Sequence, residues 1–384
     1  MTTNNPAYVF NRGYRGPVLA NGTARAYARL VVIAIGIVSL FFVTGSFTLA
    51  DSNLQPFVPA QGSTSPSNGD LNPYGLAVVP QGFPSGMLRP GQLLVSNFNN
   101  SAANGNLQGE GSTIVIMDPA TGQQTGLFFK GKPPIGFTNA LGIMPAGLVF
   151  AGSVFTTNST SPAQNGGLLV INRNGHLVTT ITSGTNGPWG LAINNQSTTA
   201  AQLFISNVLD GTVTRISVSL NGGFNTVGSP TTIASGYAHG PDGMGLVVGP
   251  AGLAYDSSED ILYVAAEGDN EIFAITDASD LNSTAGMGTP IFADQNHLHG
   301  PLGLMIAPNG NLVTANAGPA AHVDSAQPSE LVEFTADGEF VRQFSIDPNT
   351  GSAFAILNVP SLVANQFAYV DDFSSILNIT RFAK

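Results

Sequence analysis

The sequence predicts an all-β protein: a six-bladed β-propeller of four-stranded antiparallel blades that follows an N-terminal signal or anchor helix. Three observations support this prediction: a composition rich in turn formers, an internal repeat, and one apolar segment near the N-terminus. The 384 residues include 46 Gly and 25 Pro, and only 9% of them are charged. Glycine accepts positive φ and proline pre-sets turn geometry, so this composition suits many short strands joined by tight turns. With 43% apolar residues the chain can bury a core, which excludes wholesale disorder.

The distribution of charge excludes one class of partner. No acidic residue precedes Asp51, whereas four arginines do, so the remaining chain carries 23 acidic residues against eight basic ones. Such an acidic body repels phosphate backbones, and we therefore expect no nucleic-acid partner, while cationic and neutral ligands remain open. The chain has no Cys, which excludes a disulfide scaffold and a thiol nucleophile.

The apolar segment predicts export. Residues 1–29 are basic, and the uncharged run Leu30–Val43 that follows has the layout of a signal peptide, with Thr48–Ala50 as a small-residue cleavage site. The longer stretch Leu30–Ala50 would span a bilayer as an uncleaved anchor. Both interpretations place Asp51 onward outside the cytoplasm, secreted or membrane-anchored through residues 30–50, with membrane contact through that segment alone.

An internal repeat of about 57 residues fills the exported chain, residues 51–384. Each copy opens with an aromatic or Pro-x-Gly turn, continues into a short apolar strand and adds a second apolar strand. The glycines that open the copies lie at positions 75, 142, 190, 252 and 303, and a looser sixth copy opens near 354. Each copy holds three or four apolar runs separated by turn formers, which predicts a four-stranded meander repeated around an axis. A β-sandwich would not explain this period, and a solenoid would have polar caps at its ends.

The sixth copy ends after its third strand. Because a propeller closes its ring, we expect the outer strand of the last blade to come from the N-terminal segment around Leu54–Val58. Closure through both termini would remove exposed sheet edges.

The clearest copy is Pro250–Ile275, which reads PAGLAYDSSEDILYVAAEGDNEIFAI. Its Pro-x-Gly-Leu-Ala opening, its strand and its Gly-Asp-Asn-x-Ile turn resemble the NHL repeat of six-bladed propellers. The resemblance extends from Pro73 to about Phe382, although the second copy lacks the turn proline. The wider superfamily of similar propellers contains sensor domains, SMP-30/gluconolactonase-like lactonases, streptogramin lyase and the peptide-amidating lyase. The resemblance therefore implies a fold and no single function.

Short polar side chains end the second strand of most copies. In an up-and-down blade with strands a to d, the b–c turns and the d–a connections emerge on one face of the ring, here named the b–c face, where several blades can converge on a ligand. The residues at the ends of the second strands are Asn97, Ser153, Asn207, Glu267, Asn316 and Asp371.

Two aromatic residues, Tyr74 and Trp189, occupy matching positions where strand a begins, where each could stack on a ligand or pack between blades. The residues that we predict to bind a ligand are Asn97, Asn207, Asn316, Asp371, Trp189 and Tyr74. The alternative is that the Asn and Asp side chains cap their own turns.

Four of the five histidines lie in the quarter of the chain from His239 to His322. By the topology of the loops they would share the b–c face with Glu267, and a carboxylate with imidazoles suits a divalent metal such as Zn, Mn or Mg with an open ligand position. The predicted metal ligands are His239, Glu267, His297, His299 and His322. Among these, Glu267, His239 and His299 are the first candidates for a catalytic role, because a bound metal polarises a carbonyl or activates water. The alternative is a set of loops that hydrogen-bond to neighbouring blades.

Three functions remain open at this point. The leading one is an exported binding or interaction module for a protein or small-molecule ligand, with its recognition surface on the b–c face and no certain cofactor. The second is a metal-dependent lyase or lactonase-type hydrolase that uses the central channel. The third is a structural envelope protein.

Overall fold

The computed structural model describes residues 60–157, 162–243, 246–316, 329–347, 353–359 and 366–381. The apolar segment Leu30–Ala50 and the predicted strand Leu54–Val58 lie outside these ranges. Within them, no helix has the length and apolar character needed to cross a membrane. The described chain contains one short 3-10 helix, Ala102–Asn104, and is otherwise built from strands and turns.

The strands follow the predicted repeat in chain order. The first thirteen are β1 (Ala60–Ser63), β2 (Leu71–Val78), β3 (Leu93–Asn99), β4 (Thr113–Met117), β5 (Gln124–Lys130), β6 (Phe137–Met144), β7 (Leu148–Phe155), β8 (Gln164–Asn172), β9 (Leu177–Ile181), β10 (Pro188–Asn195), β11 (Ala200–Asn207), β12 (Thr212–Ser219) and β13 (Asn225–Ser235). The next thirteen are β14 (Gly240–Asp242), β15 (Leu246–Val248), β16 (Pro250–Asp256), β17 (Ile261–Ala266), β18 (Glu271–Thr276), β19 (Thr289–Phe292), β20 (Pro301–Ile306), β21 (Leu312–Asn316), β22 (Ser329–Phe334), β23 (Phe340–Asp347), β24 (Ala353–Asn358), β25 (Gln366–Asp371) and β26 (Ile376–Arg381).

These strands form six four-stranded antiparallel sheets, so the predicted six-bladed propeller is confirmed. Blades 1 to 3 are β2–β5, β6–β9 and β10–β13; blades 4 and 5 are β16–β19 and β20–β23; and blade 6 joins β24, β25 and β26 to β1. The hairpin β14–β15 is an addition between blades 3 and 4. Each blade therefore contributes one inner strand, its strand a, to the central channel.

The ring closes through a strand from near the N-terminus. β1 pairs antiparallel with β26, with Ala60 opposite Ile379 and Ser63 opposite Ile376. The next residue, Thr64, donates from its backbone N and from Oγ1 to the carbonyl oxygen of Ser375, at 2.9 and 3.0 Å. The described part of the closing strand is thus Ala60–Ser63, and the predicted segment 54–58 lies outside the described residues.

The hydrophobic core lies between neighbouring blades. Five clusters of buried side chains each join two consecutive blades, and a sixth joins blade 6 to blade 1 and to the centre of the ring. Between blades 4 and 5, for example, Phe292 and Phe334 stack with ring centroids 4.6 Å apart. Because both faces of the middle strands are covered, strands such as β7 (LVFAGSVF) are apolar without alternation.

The opening glycines of the repeat allow the inner strands to approach each other. A Cβ atom added to Gly190, Gly252 or Gly303 would overlap a backbone carbonyl oxygen of the next inner strand. Blade 2 solves the same problem differently, because there Gly152 on strand b faces Ala140 on strand a. The assignment of Gly142 as the equivalent opening glycine is therefore wrong, since that residue lies two positions farther along.

Second-strand serines connect these inner strands. The Ser96 hydroxyl accepts a hydrogen bond from the backbone N of Gly75 at 3.0 Å and donates to the carbonyl oxygen of Thr138 in blade 2 at 3.2 Å. Ser206 makes the equivalent pair of bonds between blades 3 and 4. These bonds fix the spacing of the blades around the channel.

Candidate functional site

Most of the polar residues predicted on the b–c face are buried and bonded within the protein. Asn97, Asn207 and Asn316 are at most 1% exposed. The amide of Asn97 donates to the carbonyl oxygen of Thr64 at 3.1 Å, and the Oδ1 of Asn207 accepts from the backbone N of Asn186 at 2.8 Å. In both cases the partner belongs to the connection that enters the same blade. These side chains therefore attach each incoming connection to strand b, a structural role that the turn-capping alternative only partly anticipated.

Three further members of the set, Asn316, Ser153 and Asp371, also form hydrogen bonds within the protein. The amide of Asn316 donates to the carbonyl oxygen of His297 at 2.8 Å, and the Ser153 hydroxyl donates to the carbonyl oxygen of Ile135. Asp371 caps its own turn, where its carboxylate accepts the hydroxyl of Ser374 at 2.6 Å. Ligand binding by Asn97, Asn207, Asn316 and Asp371 stays a prediction.

The two predicted aromatic residues meet at the centre of the ring. Tyr74 and Trp189 are 2% and 1% exposed, and they pack with Phe98 and Phe354. The ring centroid of Tyr74 lies 4.3 Å from that of Phe354, 4.5 Å from that of Phe98 and 5.7 Å from that of Trp189. This group, here named the aromatic plug, fills the channel at the end nearest the b–c face.

Glu267 shares a buried, unpartnered side-chain oxygen with Asn97 and Asn316, but it differs from these amides because it is an acid, for which burial opposes ionisation. It follows β17 directly and is 5% exposed, and its Oε2 has no hydrogen-bond partner among the described residues. Burial raises the pKa of Glu267 well above its usual value, and the nearby charge of Asp242 raises it further. Burial, together with Asp372, Glu267 and Asp242, likewise raises the pKa of Tyr74. A desolvated acid of this kind beside a cleft is typical of functional sites.

We expect Glu267 to make the protein less stable as pH rises. Above pH 4.5, the ordinary pKa of this side chain, the unfolded carboxyl ionises while the folded one keeps its proton until its higher pKa is reached. Unfolding then releases a proton, so the free energy of unfolding falls by up to about 1.4 kcal/mol per pH unit in that window. Denaturant titrations of Glu267→Gln and of the wild type should therefore diverge between pH 5 and 8, with the variant the more stable.

The matched control is Glu259→Gln, at an exposed turn of the same blade. Its stability curve should run parallel to that of the wild type. Curves for Glu267→Gln that also stay parallel would mean that this carboxylate is solvated in the folded protein.

An apolar pocket of about 440 Å³ lies on the b–c face beside these acids. Its walls come from the hairpin β14–β15, from the b–c turn of blade 3 and from the loop before β8. The lining residues are Pro162, Ala163, Val208, Leu209, Gly240, Pro241, Leu246 and Val247. Val208 and Val247 belong to the same core cluster as Tyr74 and Trp189, so the floor of the pocket is continuous with the aromatic plug.

The hairpin β14–β15 was not predicted from the sequence, although the unusual length of the connection that contains it was a signal. The connection from β13 to β16 covers residues 236–249, whereas the connections that enter blades 2 and 3 cover only residues 131–136 and 182–187. Because loops on a rigid scaffold often carry binding residues, an unusually long connection on the b–c face indicates a candidate site.

The described histidines lie in separate local environments. The Nδ1 of His239 lies 2.9 Å from the carbonyl oxygen of Tyr237. His297 pairs through Nδ1 with Asp294 and stacks on Phe340 with centroids 3.7 Å apart. His299 is half-buried in the connection to blade 5.

His322 lies outside the described residues. Within the described ranges, no group of three or more His, Asp or Glu side chains is arranged to hold a metal ion. The divalent metal and the catalytic roles of Glu267, His239 and His299 therefore stay predictions.

Comparison with known proteins assigns the chain to no family. No protein-family model matches the sequence, and no curated protein matches it. Among solved structures, virginiamycin B lyase from Staphylococcus aureus is similar over 83% of this chain and 98% of its own, with 13% identity and a TM-score of 0.48. A luciferin-regenerating enzyme matches 85% of this chain and 97% of its own, with 11% identity and a TM-score of 0.48. The calcium-binding protein regucalcin from Agrobacterium tumefaciens matches 87% and 94%, with 10% identity and a TM-score of 0.46. The six-bladed architecture itself rests on the sheet topology described above.

Proposed function

We propose that the protein is an exported binding module whose recognition site is the apolar pocket on the b–c face. The observation that supports this proposal most directly is the pocket itself, about 440 Å³ in volume and walled by aliphatic side chains and prolines. Its volume lies within the range of small-molecule sites, roughly 300–1,000 Å³. Burial of an aliphatic group against such walls is favourable, whereas the walls provide few hydrogen-bond partners for a purely polar ligand.

The position of the pocket supports recognition. It is built by the hairpin β14–β15, an addition to the repeating blades that is not needed to close the ring. Strands β14 and β15 pair only with each other, with Gly240 opposite Val248 and Asp242 opposite Leu246. An element that projects from a rigid scaffold is a usual place for a binding surface.

The acidic charge near the pocket limits the class of ligand that it can bind. Asp242 lies in the hairpin that walls the pocket, and its charge adds to the burial that raises the pKa of Glu267. The exported body as a whole is acidic. An anionic ligand would be repelled from this face, so we infer a neutral or cationic ligand with an aliphatic portion.

The basic N-terminal segment and the apolar run Leu30–Val43 support export. In this proposal the b–c face meets its ligand outside the cytoplasm, whether the segment is cleaved or retained as an anchor. A protease-accessibility assay on intact cells tests this part separately. Protection of the propeller in intact cells, with digestion only after lysis, would contradict it.

The single tryptophan of the chain provides the test of binding. Trp189 packs in the same core cluster as Val208 and Val247, which line the pocket. An aliphatic group that enters the pocket should therefore change the fluorescence of Trp189. We expect n-hexylammonium and n-hexanol to produce a saturable change, and n-hexanoate to produce none.

Substitution Leu209→Asp should weaken the binding that this fluorescence change reports. Leu209 lines the pocket, and a carboxylate there must be desolvated when an alkyl chain enters. We expect the dissociation constant for n-hexanol to rise at least about tenfold, which corresponds to 1.4 kcal/mol. The control is Val227→Asp on β13 of the same blade, a side chain that is 53% exposed and lies away from the pocket. Equal responses of the two variants, or no response in the wild type, would refute the pocket as the recognition site.

A further inference from the structure

The central channel contains a second cavity, of about 310 Å³, that the proposed recognition site does not use. It is lined by the inner strands of all six blades. The aromatic plug fills the channel toward the b–c face, and the cavity extends to the opposite ends of the inner strands, where Tyr255, Ile306 and Asn358 are half-buried. Most of the lining residues are aliphatic by type, such as Leu76 and Leu191, but the surface that faces the cavity is largely polar.

Three of the residues that line the cavity have polar side chains. The first is Asn139, which precedes Ala140 in blade 2 as Tyr74 precedes the opening glycine of blade 1 and Trp189 that of blade 3. An amide thus occupies a ring position that carries a plug aromatic in the neighbouring blades. The Asn139 side chain is half-buried, lines the cavity and has no hydrogen-bond partner among the described residues.

The second is Asn358, at the end of the inner strand of blade 6. Its Nδ2 donates to the carbonyl oxygen of Ile306, which fixes the orientation of the amide. Its Oδ1 is buried and has no partner within the described part of the chain. An unpaired buried acceptor destabilises the folded protein, and a ligand N–H that reached it would remove that cost.

The third is Tyr255, which is held rigidly. Its hydroxyl donates to Oδ1 of Asp260 at 2.8 Å and accepts from the amide of Asn194 at 3.2 Å. Asp260 is held in turn by the backbone N and the hydroxyl of Ser279, at 2.9 and 2.8 Å. The Tyr255 ring packs on Phe204 with centroids 4.9 Å apart, so the aromatic wall of the cavity does not need to be ordered when a ligand binds.

The chemistry of the lining selects a neutral amide. None of the described residues that line the cavity is charged, so an ionic ligand would lose hydration without a counter-charge. The inner strands are also sheet edges, and such edges present unpaired backbone N–H and C=O groups. A purely apolar ligand would leave these groups and the Asn358 oxygen unpaired.

We propose that the channel cavity binds a small neutral molecule built from peptide-type amide groups with an aliphatic side chain, independently of the pocket on the b–c face. The amide N–H of the ligand would be received by Asn358, the side-chain amide of Asn139 would pair with a second ligand amide, and the leucines would cover the aliphatic part.

A matched series of blocked and unblocked leucine derivatives tests this proposal on the full chain. The probes are N-acetyl-leucinamide, which is neutral, leucinamide, which is cationic, and N-acetyl-leucine, which is anionic. Saturation-transfer NMR and calorimetry should detect binding of the neutral probe and at least tenfold weaker binding of both charged probes. Absence of binding by N-acetyl-leucinamide, or equal binding of all three probes, would overturn the proposal.

Single substitutions in the channel cavity test whether the neutral probe binds there. Asn358→Leu and Asn139→Leu should each weaken binding of N-acetyl-leucinamide about tenfold, while Gln196→Leu, at an exposed turn on the same face, should not. Leu209→Asp should leave this binding unchanged, which separates failure of the channel site from failure of the b–c pocket. Thermal unfolding confirms that each variant is folded, and Asn139→Asp replaces any variant that is not, with the same loss expected. Unchanged affinity in the folded channel variants would place the amide elsewhere and refute the assignment.

Discussion

Gly252→Ala is expected to destabilise the propeller by about 3 kcal/mol, the upper end of the usual cost of overpacking a well-packed interior. A Cβ at this position would overlap the carbonyl oxygen of Leu302 and lie 2.8 Å from the backbone N of Leu304. Both atoms belong to the backbone of the next inner strand, which cannot move aside as a side chain can. Relief requires blade 4 and blade 5 to separate, and that disturbs the packing all around the ring.

Chemical denaturation of Gly252→Ala beside Gly126→Ala measures this effect. Gly126 lies on the outer strand of blade 1, where an added Cβ would meet only the Cδ1 of Ile116, at 3.6 Å. We expect the control to change the free energy of unfolding by less than about 0.5 kcal/mol, as is usual for a substitution without steric conflict. A loss of equal size in both variants would show that inter-blade contact is not the reason for the opening glycine.

Removal of strand β1 is expected to have a comparable or larger effect. A chain that begins at Ser65 lacks the strand that pairs with β26 and also lacks the two bonds from Thr64 to Ser375. Each ladder hydrogen bond contributes about 1 kcal/mol net, and β26 would become an exposed edge. We expect a markedly lower melting temperature and a tendency to associate through that edge.

A chain that begins at Ala60 is the control, because it also lacks the N-terminal segment but keeps β1. Differential scanning calorimetry and light scattering compare the two chains at equal concentration. If the two truncated chains unfolded at the same temperature and both stayed monomeric, closure through β1 would contribute nothing to stability.

The fold was predictable because its determinants are local and repeated. A run of apolar residues bounded by Gly, Pro, Asn and Asp forms a strand wherever it occurs, and six copies of one such pattern leave few architectures. The opening glycine is visible in sequence for the same reason, since Gly190, Gly252 and Gly303 meet the same steric demand in each blade. Gly142 was wrongly predicted to be the opening glycine of blade 2, because in that blade the small residue required is Gly152 on the neighbouring strand.

The candidate sites were predictable only in part. Glu267 stood out in the sequence because Glu is an unusual residue among turn-forming Asn and Asp, and the structure places it buried, with Oε2 unpartnered among the described residues, next to Asp242. The pocket at Leu209 was missed, because its walls come from segments that lie far apart in the chain and none of its residues is chemically conspicuous.

The number of blades, the turns between them and the acidic character of residues 51–384 could be predicted from the sequence, because periodicity, turn chemistry and charge are properties of short segments. The roles of the polar and aromatic residues of the b–c face depend instead on contacts between distant segments. Tyr74 and Trp189 become a plug because a closed ring brings distant strands to one axis, and Asn97 and Asn207 become buried links because the incoming connections pass within hydrogen-bond distance of them. Asn139 and Asn358 line a shared cavity for the same reason: the ring brings together inner strands that are more than two hundred residues apart in the chain.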